Sequence, residues 1–161
     1  MDLQEVKSRI SEALVESIFR RARFSVKPFR TDALPLRFGR EDYSPDFRVS
    51  RRLDDGTEKE ALVEVKYRPS IEQFISVENQ RGERSMFLHA RKQWPALYFV
   101  LVTDRPEGTR SSFQAVSFAT YTPGEPFRTV DLVDLRELRI FKHNVEDHEE
   151  LVRRIFGLLS G

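Results

Sequence analysis

The chain has 161 residues, no cysteine and a formal net charge of +1. Its length predicts a single domain over residues 1–161, and the lack of cysteine excludes disulfides, thiol catalysis and cysteine-based zinc sites. No apolar run reaches the ~18 residues that cross a bilayer, and charged residues stand where a signal peptide needs an apolar block. We therefore expect a cytoplasmic protein without membrane contact, in which any nucleic-acid binding comes from local basic patches.

The first predicted element is an amphipathic helix from Leu3 to Ala22, because apolar residues recur along it at helical spacing. A short extended segment around Val26 and Phe29 follows it. The stretch from Arg30 to Tyr43 contains proline and has no regular apolar period, so we expect it to be mostly loop.

A β-hairpin is predicted next, with strands from Asp46 to Leu53 and from Glu60 to Tyr67. The two strands flank the segment from Asp54 to Thr57, which contains the Asp-Gly pair typical of tight hairpin turns. The turn brings the start of the first strand alongside the end of the second.

A second helix is predicted after the hairpin. Ser70 is followed three residues later by Gln73, the spacing of a capping box at a helix N-terminus. We expect this helix to falter near Gly82, to resume from Met86 to Trp94, and to end before Pro95.

The rest of the chain predicts three more strands and a final helix. The unbroken apolar run from Ala96 to Thr103 is typical of a strand buried on both faces. After a turn-rich stretch from Asp104 to Ser112, we predict strands from Phe113 to Tyr121 and from Phe127 to Val133, and an amphipathic helix from Asp147 to Leu159. This order of elements predicts an α/β or α+β domain.

Three polar side chains should converge at one end of the hairpin. Strand alternation puts Glu64 and Lys66 on the same face, and the turn brings Asp46 beside them. Asp46 and Glu64 would hold a Mg²⁺ ion, to which the Val65 carbonyl could add a third oxygen. Lys66 could orient or deprotonate a metal-bound water. The alternative is that Asp46 only shapes the turn of the chain and the other two form an ordinary solvated ion pair.

The segments from Tyr43 to Val49 and from Leu62 to Arg68, joined by the hairpin, resemble the PD-(D/E)xK nuclease superfamily. This restriction-endonuclease-like group includes Holliday-junction resolvases and transposon end-cleaving nucleases. The resemblance implies a central mixed β-sheet flanked by helices and Mg²⁺-dependent hydrolysis of DNA phosphodiesters, with Mn²⁺ able to substitute. By position, Asp46 matches the motif aspartate, Glu64 the second acid and Lys66 the motif lysine.

A fourth acid commonly comes from the first helix in that family, and Glu12 and Glu16 compete for the role. On a helical wheel Glu12 borders an apolar patch instead of open water. Glu16 stands four residues before Arg20, the favourable order for a surface ion pair. We therefore expect Glu12 to join the metal site.

Phosphate contacts are expected from arginine, because guanidinium binds phosphate bidentately. The main candidates are Arg51, Arg52 and Arg68 on the hairpin, together with Gln73 on the helix that follows. Other candidates are Arg20, Arg21, Arg23, Arg48 and Gln80. The alternative for each arginine is a solvated ion pair.

The sequence thus predicts a metal-dependent DNA endonuclease, and the resemblance implies a homodimer in which two sites address two strands. One alternative is a catalytically silent module that binds DNA or protein. Another is a nuclease subunit that needs partner proteins in a larger transposition, restriction or defence complex.

Overall fold

A capping box begins the first helix. The Asp2 carboxylate accepts the N–H of Glu5, and the Glu5 carboxylate accepts the N–H of Asp2. The computed structural model describes residues 2–30, 35–39, 41–118 and 121–160.

Four α-helices and eight β-strands are present within these ranges. The helices are α1 (Leu3–Arg21), α2 (Ile71–Arg81), α3 (Met86–Gln93) and α4 (Lys142–Leu159). The strands are β1 (Ser25–Pro28), β2 (Arg37–Phe38), β3 (Glu41–Asp42), β4 (Phe47–Arg52), β5 (Glu58–Tyr67), β6 (Leu97–Val102), β7 (Phe113–Val116) and β8 (Thr129–Asp131). None of these helices is long and apolar enough to cross a membrane.

Six strands form one mixed sheet in the order β1-β4-β5-β6-β7-β8. The central pair β5 and β6 runs parallel, with α2 and α3 in the connection between them, while the other pairs in this sheet are antiparallel. A separate two-stranded ribbon is made by β2 and β3. The predicted α+β class, with a mixed sheet flanked by helices, is confirmed.

Two hydrophobic clusters lie on the faces of the sheet. The first joins α1 and α4 to the sheet around Phe19, Val63 and Phe156. The second joins α2 and α3 to it around Phe87 and Phe99, whose ring centroids are 4.7 Å apart. Because alternate residues of β5 serve the first cluster, the polar residues between them project from the opposite face of this central strand.

The final helix begins at Lys142, earlier than the predicted Asp147. Its start depends on Asn144, whose side-chain oxygen accepts the N–H of Phe141 at 2.8 Å. The buried Val145 then belongs to the first helical turn, so the apolar face begins before the predicted boundary.

The strands predicted from Phe113 to Tyr121 and from Phe127 to Val133 are too long. β7 ends where its pairing with β8 ends, at the Val116 and Thr129 pair. The chain after β8 turns into a 3-10 helix, Leu132–Asp134, because the fully buried Leu132 packs into the first cluster. Residues 119–120 lie outside the described residues.

The stretch from Arg30 to Tyr43, predicted to be mostly loop, contains the β2–β3 ribbon. Two residue pairs define the ribbon, Arg37 with Asp42 and Phe38 with Glu41. Neither strand has a buried residue, so the ribbon has no apolar alternation by which its sequence could signal it. Residues 31–34 and 40 lie outside the described part of the chain.

We predict that Glu78→Ala lowers the free energy of unfolding by about 2–4 kcal/mol. Glu78 is 1% exposed, and its carboxylate accepts the Ser85 hydroxyl at 3.0 Å and the N–H of Met86 at 2.7 Å, which caps α3. The substitution leaves these buried donors without an acceptor. Urea denaturation measures the effect.

The matched control is Glu83→Ala, which removes an exposed glutamate from the 3-10 helix between α2 and α3. It should change the free energy of unfolding by less than about 0.5 kcal/mol. Equal unfolding midpoints for the two variants would contradict the capping role of Glu78.

Candidate functional site

Asp46 is fixed against the middle of β5 by two hydrogen bonds. Its N–H donates to the carbonyl of Val63 at 2.7 Å, and its Oδ2 accepts the N–H of Val65 at 2.7 Å. The register of β4 on β5, in which Phe47 pairs with Val63, places Asp46 next to Glu64. The structure therefore puts the first predicted acid beside the second.

Glu64 and Lys66 form a buried ion pair within β5. The Nζ of Lys66 lies 2.7 Å from Oε1 of Glu64, and it also donates to the carbonyl of Asp42 at 2.6 Å. It lies 4.6 Å from the centre of the Tyr43 ring. The other Glu64 oxygen, Oε2, is buried without a hydrogen-bond partner among the described residues.

Asp42 and Tyr43 are contributors that the sequence did not reveal. Both lie in or beside the β2–β3 ribbon, within the stretch predicted as loop. A backbone carbonyl carries no side-chain signal, and the position of the Tyr43 ring depends on how the ribbon folds over the sheet. The sequence therefore held no pattern from which their contacts with Lys66 could be predicted.

The carboxyl groups at this site hold protons more strongly than usual. Burial raises the pKa of Glu64 well above its ordinary value, and the nearby Asp46 adds to the rise while Lys66 opposes it. Burial also raises the pKa of Asp46, although the hydrogen bond from Val65 opposes the shift. Burial, followed by the charge of Asp46, raises the pKa of Glu12 to about 7. The site thus favours a bound proton or another cation.

Of the two candidate glutamates in α1, Glu12 interacts with this site and Glu16 does not. Glu12 interacts electrostatically with Asp46, Glu64 and Lys66. Glu16 instead pairs with Arg20 at 3.6 Å on the surface. The structure thus brings Glu12, and not Glu16, within electrostatic reach of the predicted acids, while the role of Glu12 at a metal stays a prediction.

The donors suit a hard cation, but they do not form a closed cage. Within the described ranges, no group of three or more histidine, cysteine, aspartate or glutamate residues is placed to hold a metal ion. Asp46 and Glu64 nevertheless offer two neighbouring carboxylates, one with the unpartnered Oε2. Mg²⁺ commonly uses one or two carboxylates and keeps water as its other ligands. The residues present therefore fit such an ion.

Val65 contributes its backbone to the same place. Its N–H binds Asp46, and in an extended strand the carbonyl of a residue points to the same side as its N–H. The predicted third oxygen thus lies on the Asp46 side of β5.

Arg51 and Arg52 lie at the end of β4 that is remote from Asp46 and Glu64. Arg52 lies five positions after Phe47 along the strand, which corresponds to about 17 Å. Arg51 donates to the carbonyl of Ala22 at 3.0 Å and lies 4.5 Å from the centre of the Phe24 ring. The structure does not bring these arginines to the acids.

Arg68 and Gln73 are nearer in sequence to the site. Arg68 follows β5 and binds the Glu41 carboxylate at 2.6 and 2.8 Å, with its guanidinium 4.2 Å from the centre of the Phe74 ring. The Gln73 side chain is exposed, while its N–H donates to the Ser70 cap at 3.2 Å. Their contact with nucleic acid stays a prediction.

No family model, curated protein or solved structure matches this chain. The resemblance to PD-(D/E)xK nucleases rests on the residues from Tyr43 to Arg68 alone. The restriction-endonuclease-like core thus stays a prediction, while the mixed sheet and its flanking helices are observed.

We predict that the free energy of unfolding of the wild type falls between about pH 4 and about pH 8, and that Glu12→Gln abolishes part of this fall. The pKa of Glu12 is raised from 4.5 to about 7 in the folded protein. The folded state is therefore fully favoured below the lower value and loses stability as the pH rises through the upper one. The variant should be more stable than wild type at about pH 8 by about 1–2 kcal/mol, allowing for partial solvent screening, and equal to it at about pH 4.

Urea denaturation in EDTA at both pH values measures this difference. Glu16→Gln is the matched control, because Glu16 lies one turn further along α1 and is half-exposed. A pH dependence that Glu12→Gln leaves unchanged would contradict the buried environment assigned to Glu12.

Proposed function

We propose that this protein is a metal-dependent DNA endonuclease that hydrolyses phosphodiester bonds at the site formed by Asp46, Glu64 and Lys66. The observation that carries the proposal is the buried carboxyl of Glu64, which lies beside Asp46 and has an oxygen without a partner among the described residues. Neighbouring buried carboxylates repel each other, and a bound cation would compensate both charges.

In this proposal Asp46 and Glu64 hold Mg²⁺ or Mn²⁺, and the Val65 carbonyl is available to the same ion. When bound, the metal lowers the pKa of a water molecule and stabilises negative charge on the phosphate. Lys66 holds the water or the phosphate oxygen through its ammonium group once Glu64 turns to the ion. Glu12, with its pKa of about 7, can accept a proton near neutral pH.

The choice of DNA rests on the resemblance and on the arginine content of the chain. Arg68 lies two residues after Lys66 and is, of the predicted phosphate contacts, the one nearest in sequence to that lysine. Its guanidinium is held by Glu41 and Phe74, so it is already oriented. A homodimer that presents two such sites to the two strands of a duplex is part of the same proposal.

The silent module is the second candidate, and one observation favours it. The Lys66 ammonium is bound by Glu64 and the Asp42 carbonyl, so its charge is compensated within the protein itself. A polar network of this kind could persist for its structural role alone. Metal binding and cleavage distinguish the two candidates.

We predict that the protein binds Mn²⁺ and that Asp46→Asn and Glu64→Gln each weaken binding at least about tenfold, because each removes a negative ligand. Isothermal titration calorimetry near neutral pH measures the affinity, and proton release should accompany binding because the site carboxyls have raised pKa values. Glu16→Gln is the control and should bind as wild type does. Failure of the wild type to bind Mn²⁺ would contradict the proposal of a metal-dependent nuclease.

We predict that wild type with Mn²⁺ or Mg²⁺ cleaves DNA, and that Lys66→Met lowers the rate at least about 100-fold while it still binds Mn²⁺. Supercoiled, linear, branched and single-stranded DNA are the substrates. Methionine keeps an unbranched side chain of nearly the same length without the charge, and urea denaturation checks that the variant is folded. Metal binding without cleavage of any of these DNAs would contradict endonuclease activity in the isolated chain.

A further inference from the structure

A cavity of about 420 Å³ lies at the end of β4 that is remote from the acids. Three separate segments form it: the end of α1 with the turn that follows, the end of β4, and the run into α4. Its lining contains five arginines, namely Arg21, Arg23, Arg51, Arg52 and Arg139.

The positive charge in this cavity is poorly compensated. Asp54 is the acid in the lining, and Asp147 outside it pairs with Arg21 at 2.9 Å. If each of these two acids compensates one of the five arginines, three guanidinium groups are left without a compensating negative charge. Arg23, Arg52 and Arg139 are exposed and have no ion pair in the described part of the chain.

Two of these arginines also have strained backbones. Arg23 has a φ of 70° and Arg139 a φ of 50°, and they are the non-glycine residues with positive φ among the described residues. A left-handed conformation costs an ordinary residue about 1 kcal/mol. Arg139 also repels Arg51, whose pKa is lowered by burial and then by this neighbour. An anion in the cavity would relieve that repulsion.

The rim of the cavity offers an aromatic surface next to the cationic one. Phe141 is 61% exposed, and its ring is parallel to that of His143, with centroids 6.0 Å apart and planes 5° apart. Both residues line the cavity. Aromatic faces stack on nucleobases, and guanidinium groups bind phosphate.

We propose that this cavity is a nucleotide-binding site in which Arg23, Arg52 and Arg139 hold the phosphate and Phe141 stacks on the base. The volume lies within the range of small-molecule sites, roughly 300–1,000 Å³, and exceeds the needs of a bare phosphate. The ligand is either a free nucleoside phosphate or one nucleotide of a nucleic-acid strand, since both present the same groups. The proposal needs neither a metal ion nor the acids at the other end of β4.

The test measures binding by calorimetry in EDTA, with AMP, adenosine, inorganic phosphate and a single-stranded oligonucleotide that carries a 5′-phosphate as probes. AMP should bind at least about tenfold more tightly than either adenosine or inorganic phosphate, because only AMP engages both surfaces. Arg139→Asn and Arg52→Gln should each weaken AMP binding at least about tenfold. Asparagine is chosen because it tolerates a positive φ.

Arg136→Gln is the matched control, since Arg136 is exposed on the same loop but does not line the cavity. Phe141→Ala should weaken binding of AMP and leave binding of inorganic phosphate unchanged. The unfolding midpoint of each variant checks that it remains folded.

A tighter complex with the oligonucleotide than with AMP would support the proposal and identify a nucleic-acid strand as the ligand. Equal or weaker binding of the oligonucleotide would support it with a free nucleotide as the ligand. Failure of both probes to bind, binding that Arg139→Asn leaves unchanged, or equally tight binding of a poly-glutamate peptide would overturn it. These experiments contain no metal, so their failure is distinct from failure of the proposed nuclease.

Discussion

The burial of charge in β5 is the constraint on which the site depends. Removing an ion from water costs several kcal/mol, and the pair formed by Glu64 and Lys66 lies in a central strand of the sheet. The Asp42 carbonyl and the Tyr43 ring offset part of that cost by contacting the ammonium. A shift of β5 by one residue would turn its apolar residues out of the first cluster, so the hydrophobic register holds the charged pair in place.

The same register positions the third group. Phe47 pairs with Val63, so Asp46 reaches the N–H of Val65 and lies beside Glu64. Burial raises the pKa values of Asp46 and Glu64, and the nearby charge of Lys66 opposes both shifts without abolishing them. Ordinary apolar packing thus defines the place at which the two carboxyl groups and the ammonium group meet.

Local patterns predicted the hairpin, and long-range contacts set the limits of that prediction. Alternation and the Asp-Gly turn fix which residues of β5 share a face, and the pairing of Glu16 with Arg20 follows from helical spacing. The contact of Tyr43 with Lys66 requires the ribbon to fold over the sheet, which no local period encodes. The predicted start of α4 is too late because Asn144 caps the helix from within its first turn. The usual sequence signal for a helix start is a capping residue before the first turn.

The arginine cavity shows why net charge says little about the ligands of this protein. Its cations come from segments around Arg23, Arg52 and Arg139, which are distant in sequence and meet only in the folded chain. Acids collect at one end of β4 and arginines at the other, about 17 Å away along the strand. Because the Coulomb interaction weakens with distance, each end acts mainly on its own surroundings. A chain with a formal net charge of +1 can therefore attract a cation at one end of a strand and an anion at the other.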